Sequence, residues 1–313
     1  TIMTRKISLL VAGLAFIAFT SFGQGYTFRV MVSKGENKIK TSGAADWQAL
    51  RIGGKLNDGD ELQVAENGYI GMVHKTGKTK EIKSSGNYDI SELSGEIAAG
   101  SDNIATKYAD FVISKMSPEE REANRRKYAS VTGAVERGDS DASINIFMPT
   151  SVSVYNPQVM IRWDPVADDN ATYVVKLKDL FEQTIMVAET DDTNYTIDFN
   201  DSKLSNAIVE DLVIVNVSVK GDEEIQSKNA AIERFSSDAS SSFEVELKDL
   251  QTNLGDQSSI NNLILAEFYE ENNLLLDALT SYEYAIKMSP DVEYYKEAYE
   301  EFLLRTGDRK SVV

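Results

Sequence analysis

The stretch Ser259–Asp291 reads SINNLILAEFYEENNLLLDALTSYEYAIKMSPD, and the rest of the chain is interpreted around it. Leu265, Ala266 and Tyr269, spaced i, i+1, i+4, share one face of a first helix. Ala278, Tyr282 and Ala285, spaced i, i+4, i+7, form a stripe on a second. Alanines let two antiparallel helices approach closely, tyrosines fill the space beside them, and Pro290 stops the second helix. None of these residues is catalytic in type or arrangement.

The same spacing resembles the tetratricopeptide repeat, W-x2-L-G-x2-Y…A-x3-F…P, with Asn262 at the tryptophan position, Ala266 at the glycine and Tyr282 at the phenylalanine. A following helix, DVEYYKEAYEEFLLRTGD, with Tyr295, Tyr299 and Phe302-Leu303 on one side, looks like the start of a second repeat or a cap. Such repeats bury a continuous core only by stacking about three or more copies. One and a half must therefore dock on the neighbouring β segment, on a second copy, or on another protein. Residues 259–313 are expected to form this tetratricopeptide-like unit, with the seven signature positions structural or partner-facing.

Composition narrows the function. The 313 residues are 42% hydrophobic, as in a folded chain of two or three domains, and carry a formal charge of -18. That charge argues against nucleic acid and against adsorption to anionic lipid, both of which call for a basic face. There is no cysteine, hence no disulfide, no thiolate nucleophile or zinc site, and no cysteine-linked lipid anchor.

Residues 1–25 read as a secretory signal: Met3 as the start, Arg5 and Lys6 as the basic end, an apolar run Ile7 to Phe19, and small Ser21 and Gly23 before a cleavage site after Gly23. The run is shorter than the roughly 20 residues a bilayer requires, so no transmembrane segment is expected after cleavage.

Residues 26–93 are strand-rich (YTFRVMV, GENKIK, DELQVAENGYIGMVH, KTKEIKSS), with turn signals at Gly35, Gly53-Gly54, Asp58-Gly59, Asn67-Gly68 and Gly77. The order Gly35, Trp47, Leu50, Gly53, Leu56, Gly59-Asp60, Leu62 resembles the FecR-like domain, a small periplasmic β module, although Gly77 follows Thr76 where that pattern has aspartate. The resemblance implies a β roll that senses a ligand or partner. Sigma-factor regulation does not carry over, because the segments that precede the domain in signalling members are replaced here by a signal peptide. His74, the single histidine, reads as a surface or hydrogen-bonded residue.

Residues 94–138 predict a helical connector. Ile104, Tyr108, Phe111, Val112 and Lys115 trace one helical stripe, and Ser117-Pro118-Glu119-Glu120 starts a second helix with a cap, a proline and first-turn acids. Arg125-Arg126-Lys127 is the most basic run and reads as a solvated face.

Residues 139–235 return to strands: SINIFMP, SVSVYNP, QVMIRWDPV, TYVVKLKDL, TIMVAET, NYTIDF and LVIVNVSVKG. Trp163-Asp164-Pro165-Val166, Tyr173 and Tyr195-Thr196-Ile197 resemble a fibronectin type III or immunoglobulin-like sandwich, which implies that Trp163 and Tyr173 sit in its core. Asp164, Asp168, Asp169 and Asn170 cluster oxygen ligands without the spacing of an EF-hand, and read as turn formers rather than a calcium site. Residues 236–258 read as a serine-rich acidic linker, with Phe243, Leu247 and Leu250 as a possible helix start.

No nucleophile elbow, P-loop, H-E-x-x-H or dinucleotide fingerprint is present. The expectation is a multidomain, β-rich plus α chain: a FecR-like β roll, a helical connector, a β-sandwich, and a helical hairpin with an extra helix. Its expected role is an exported, non-enzymatic interaction or scaffold protein of a Gram-negative cell envelope, in the periplasm or at the outer-membrane periphery, binding other envelope proteins and holding no cofactor or metal. The alternatives are a ligand-sensing module of the FecR kind and a protein that binds or hydrolyses cell-wall polysaccharide.

Overall fold

The computed structural model describes residues 25–97, 104–135, 144–148, 151–208, 211–235 and 241–307. The expected signal sequence, but for Gly25, lies outside them, as do residues 136–143 and 236–240 and the side chain of Lys127.

The N-terminal unit comprises β1 (Phe28–Lys34), β2 (Lys38–Lys40), β3 (Gln48–Ala49), β4 (Lys55–Leu56), β5 (Glu61–Val64), β6 (Tyr69–His74), β7 (Thr79–Ile82), β8 (Gly86–Asp89) and the short helix α1 (Ile90–Gly95), which Asp89 caps. Two antiparallel sheets, ordered β4-β1-β6-β7 and β3-β2-β5-β8, enclose Phe28, Val30, Leu56, Leu62, Ile70, Met72 and Ile90. The run DELQVAENGYIGMVH divides at Asn67-Gly68, where Asn67 takes a left-handed φ of 55° and a Cβ on Gly68 would sit 2.7 Å from Asn37 Oδ1. Strands β3, β4 and β8 and helix α1 are elements that the sequence patterns did not reveal, since two to six residues are too few to establish a period.

All six residues of β6 are buried, because the strand serves two cores. Ile70 and Met72 face the interior of the unit, while Tyr69 and Val73 face a second cluster. On the paired strand β1 the register shifts between Val30 and Val32, and the extra residue sends both Met31 and Val32 to that second cluster.

Helices α2 (Ile104–Lys115) and α3 (Pro118–Val135) follow where the stripe and the Ser-Pro-Glu-Glu start predicted them. Next come β9 (Ser151–Val154), β10 (Gln158–Arg162), β11 (Tyr173–Lys178), β12 (Thr184–Thr190), β13 (Asn194–Asp198), the single turn α4 (Ser202–Ser205), β14 (Leu212–Val219), β15 (Asp222–Gln226) and β16 (Ala230–Arg234). The larger sheet runs β12-β11-β14-β16-β9, with β15 also on β14, and β10 pairs β13 in a second sheet. All pairings are antiparallel except that of β9 with β16. Within the stretch 143–149, expected as a strand, the described residues make only bridges, Ile144 to Ser227 and Ile146 to Trp163. Strands β15 and β16 were not among the expected ones.

The chain ends in α5 (Ser242–Leu254), α6 (Ser259–Glu271), α7 (Leu275–Met288) and α8 (Glu293–Gly307). Helix α5 forms where Phe243, Leu247 and Leu250 marked a helix start within 236–258, and takes up much of the stretch read as a linker: Ser241 caps it, Leu247, Leu250 and Leu254 are buried, and Gly255 at φ 73° ends it. Ser258 caps α6, and Asn273 at φ 60° turns the chain into α7. The four helices lie between the two β units. One continuous apolar cluster links Met31, Val32, Tyr69 and Val73 through α2 and the C-terminal helices to the interior of the sandwich. At coarse level the chain is thus a mixed β-sheet and helical protein with a helical C-terminus, and among the described residues no helix is long and apolar enough to cross a membrane.

Candidate interaction surface

The helical signature faces inward. Ala266, Ala278 and Ala285 are wholly buried where α6 meets α7, and Leu265 is half-buried. Tyr269 packs against Phe268 with its hydroxyl 3.5 Å from Asn156 Oδ1, and Tyr282 lies between Tyr299 and Phe302 with its hydroxyl 3.5 Å from Glu270. Only Pro290, just past α7, is exposed. Of the three docking partners left open by the sequence, the structure uses the sandwich, and adds the N-terminal unit.

The joint to the sandwich is polar and precise. Asp277 on α7 is fully buried, and its carboxylate accepts hydrogen bonds from the Tyr155 N–H (2.8 Å), the Asn156 N–H (2.7 Å) and Asn156 Nδ2 (2.7 Å) in the β9–β10 turn. Thr280 Oγ1 accepts from the Met160 N–H at 2.8 Å, and Glu283 pairs with Arg162 at 2.5 Å. Burial pushes the Asp277 carboxyl up to about 6, against the pull of the donors on Asn156 and Tyr155. In the sequence Asp277 stands within LLLDALT as a first-turn acid of α7, a position where acids are ordinary, so nothing local marks it.

On the other side, Lys115 of α2 reaches Glu267 (2.6 Å), Glu271 (2.8 Å) and Glu270 (3.3 Å), and Arg305 of α8 grips Glu270 with both Nε (3.0 Å) and Nη2 (2.9 Å). Burial raises Glu267 to about 7 in spite of Lys115. Burial acts the same way on Glu270, but Arg305 and Lys115 outweigh it and hold that carboxyl below its ordinary range. Tyr69 and Tyr295 join hydroxyls, Thr79 bonds Asn261, and Glu81 accepts from the Ile260 N–H at 3.0 Å. Lys115 and Arg305 tie α2 and α8 to α6, and the Tyr69, Thr79 and Glu81 contacts tie the helices to the N-terminal unit.

The other residues singled out from sequence are structural in placement. Trp163 and Tyr173 are buried with ring centroids 5.4 Å apart, so Trp163 presents no stacking platform to solvent. Gly35, Gly53 and Gly59 all take positive φ, Leu56 and Leu62 are core, Leu50 and Trp47 are half-buried, and buried Asp60 accepts from the Ser42 and Asn57 N–H groups. His74 is buried edge-on to Phe28, its ring nitrogens 2.7 Å from Thr76 Oγ1 and 3.2 Å from Ser94 Oγ. Burial, and then Lys75, lower its pKa. Asp168 accepts from the Asn170 N–H, closing a turn, and Asp164 accepts from Asn145. Arg126 pairs with Glu122, and Arg125 lies 3.9 Å from Glu301, which also pairs with Arg121.

Among the described residues single large apolar side chains are exposed at Ile52, Phe235, Val245, Tyr284 and Met288, whereas the β11–β12 hairpin exposes three, Leu180, Phe181 and Val187. Its turn is rigid: Asp179 Oδ1 accepts from the Phe181 and Gln183 N–H groups at 2.8 Å each, Asp179 N–H donates to Gln183 O at 2.9 Å, and Glu182 takes a left-handed φ of 59°. The turn holds Leu180 and Phe181 outward, and Phe181 is 74% exposed. Behind it, β12 is the end strand of its sheet and Val187 is 54% exposed. A bulge at Ile185 separates the pairs Leu177–Met186 and Lys178–Thr184, leaving Met186 to Thr190 as a regular ladder. The apolar pair in KDLFEQ, set in a turn between acids, was the available signal for this tip.

Comparison of the chain with protein-family models, with curated proteins and with solved structures found no match.

Proposed function

We propose that this chain is a non-enzymatic interaction protein of the bacterial cell envelope, in which the C-terminal helices clamp two β units into one body and the sandwich carries the contact surface. The observation that carries this reading is the burial of the α6–α7 signature between the β units, while the β11–β12 hairpin presents Leu180, Phe181 and Val187 to solvent. The sequence assigned partner contact to the C-terminal helices, whose signature faces are occupied within the chain. The proposed contact therefore moves to the sandwich. The FecR-like reading of the first unit is supported by the left-handed glycines and by Asp60 at a turn between strands. The sandwich reading is supported by the pairing of β10 with β13 in one sheet and of β11 with β14 and β14 with β16 in the other, the division of strands between the sheets of an immunoglobulin-type domain. The export reading rests on the N-terminal sequence alone.

The test is crosslinking of the tagged full chain in its host cells, with mass spectrometry of what is captured. A defined set of envelope proteins, crosslinked through sandwich residues, is expected. Capture of nothing but the chain itself, or release of products from cell-wall polysaccharide by the pure protein, would overturn the reading.

A further inference from the structure

The hairpin that the proposed function leaves open has features that specify its occupant, and the inference below rests on that reading. Natural sheets guard their end strands with lysine, proline, inward-facing charge or a covering element, because an unpaired ladder captures any extended chain. The stretch Met186–Thr190 carries neither lysine nor proline. Helix α4 lies against β12, and the Ile185 bulge disrupts pairing only towards the tip. Among the described residues no backbone hydrogen bond reaches Met186–Glu189 from any element other than β11. In an antiparallel ladder alternate residues of an end strand direct their N–H and C=O groups outward, so Met186–Thr190 offers donors and acceptors to an added strand.

The charges around this ladder select among occupants. Acids bracket it: Asp179 and Glu182 in the turn before it, and Glu189, Asp191 and Asp192 at its far end. Lys220 compensates Glu189 at 2.6 Å, and Thr172 Oγ1 donates to Asp191. Glu182 and Asp192 are both exposed. A second copy is disfavoured. An antiparallel pair using the whole of β12 has its two-fold axis at Val187 and sets Glu182 against Asp192 of the other copy twice, between chains that each carry -18. We propose that β12 takes up an extended segment of a partner protein with an apolar centre and lysine or arginine at both ends. Main-chain bonds along Met186–Thr190 supply affinity, Val187 and the Leu180-Phe181 tip contact the apolar residues, and Glu182 and Asp192 receive the basic flanks.

The probe is a nine-residue peptide with a central Val-Thr-Val-Thr-Val run and two lysines at each end, titrated into the full chain. An acid-flanked peptide and a serine-flanked peptide of the same centre serve as comparators. The lysine-flanked peptide is expected to bind at least tenfold more tightly than either and to slow amide exchange at Met186–Thr190. Glu182→Asn with Asp192→Lys, both at exposed turn positions, is expected to abolish that preference with an unchanged circular dichroism spectrum. Val187→Lys is expected to weaken all three peptides. Failure of every peptide to bind, protection elsewhere on the chain, equal affinity for the three flanks, or dimerisation of the chain alone by light scattering would each overturn the proposal. Failure of the peptides leaves the crosslinking test above standing, because envelope proteins can be captured through sandwich residues other than β12.

Discussion

The hydroxyls of Tyr69 on β6 and Tyr295 on α8 meet at 2.6 Å across 226 residues of chain, with the rings edge to face 6.1 Å apart. Burial raises both phenols, so the pair stays neutral in the joint between the N-terminal unit and the last helix, where Glu81 also hydrogen-bonds the Tyr69 hydroxyl. Tyr295→Phe leaves the Tyr69 hydroxyl buried without this partner and is expected to cost about 1–3 kcal/mol. Adding Tyr69→Phe is expected to recover most of the loss, because both polar groups are then gone. Urea unfolding of the two single variants and the double variant measures the coupling, and strict additivity would contradict it.

Asp277→Ala removes the acceptor of three donors in the β9–β10 turn. With two backbone N–H groups left unpaired, the expected loss is about 2–5 kcal/mol. Hydrogen exchange should show the Tyr155 and Asn156 amides exposed well before the interior of the sandwich. If those two amides keep their native protection, Asp277 is not what holds the joint.

The two raised carboxyls set a pH dependence whose sign follows from their direction. Asp277 rises from 3.8 to about 6 and Glu267 from 4.5 to about 7, so between these limits the folded chain binds protons that the unfolded chain has released. Their contribution to stability is complete below about pH 4 and is lost as pH climbs through 6 and 7, with a slope of about 1.4 kcal/mol per pH unit for each proton taken up. Glu270 runs the other way, its contribution being lost as pH falls below its ordinary carboxylate range. Urea midpoints measured from pH 5 to 8 should fall with rising pH through this pair, and the fall should flatten in Glu267→Gln and in Asp277→Asn. A variant as steep as the parent would show that the substituted group titrates normally.

Gly71 on β6 lets α6 sit close. A Cβ there would lie 3.1 Å from Ile260 Cδ1 and 3.5 Å from Val32 Cβ. Gly71→Val is expected to cost about 1–3 kcal/mol by overpacking, and Ile260→Ala in the same chain is expected to return part of it. Thermal unfolding of the single and double variants checks this, and a double variant no better than the sum would remove Ile260 from the explanation.

Much of this architecture was legible because its signals are local. Ser117-Pro118-Glu119-Glu120 starts α3 as a cap, a proline and acids should, and Ala278, Tyr282 and Ala285 mark the buried face of α7. What stayed hidden depends on partners far along the chain. Asp277 looks like any helix acid until Asn156, 121 residues earlier, is brought to it. The YIGMVH run of β6 reads as a one-sided strand, and the docking of α2, α6 and α8 explains why Val73 and Tyr69 are as buried as Ile70. The open hairpin was missed for a different reason, since exposed apolar residues in a turn have no periodicity to mark them.

The burial of β6 on both faces also sets a schedule. Strand β1 and its neighbour can assemble their inner core as soon as they are made, and α2 can follow, yet the cluster of Met31, Val32, Tyr69 and Val73 is completed only by helices at the opposite end of the chain. At roughly 5–20 residues per second of synthesis, the 226 residues between Tyr69 and Tyr295 correspond to about 10–45 s during which α2 is the helix available to that face and α6 and α8 are still to come. A newly made N-terminal unit therefore keeps part of an apolar face open until the last helix arrives, and truncation before α8 leaves that part open.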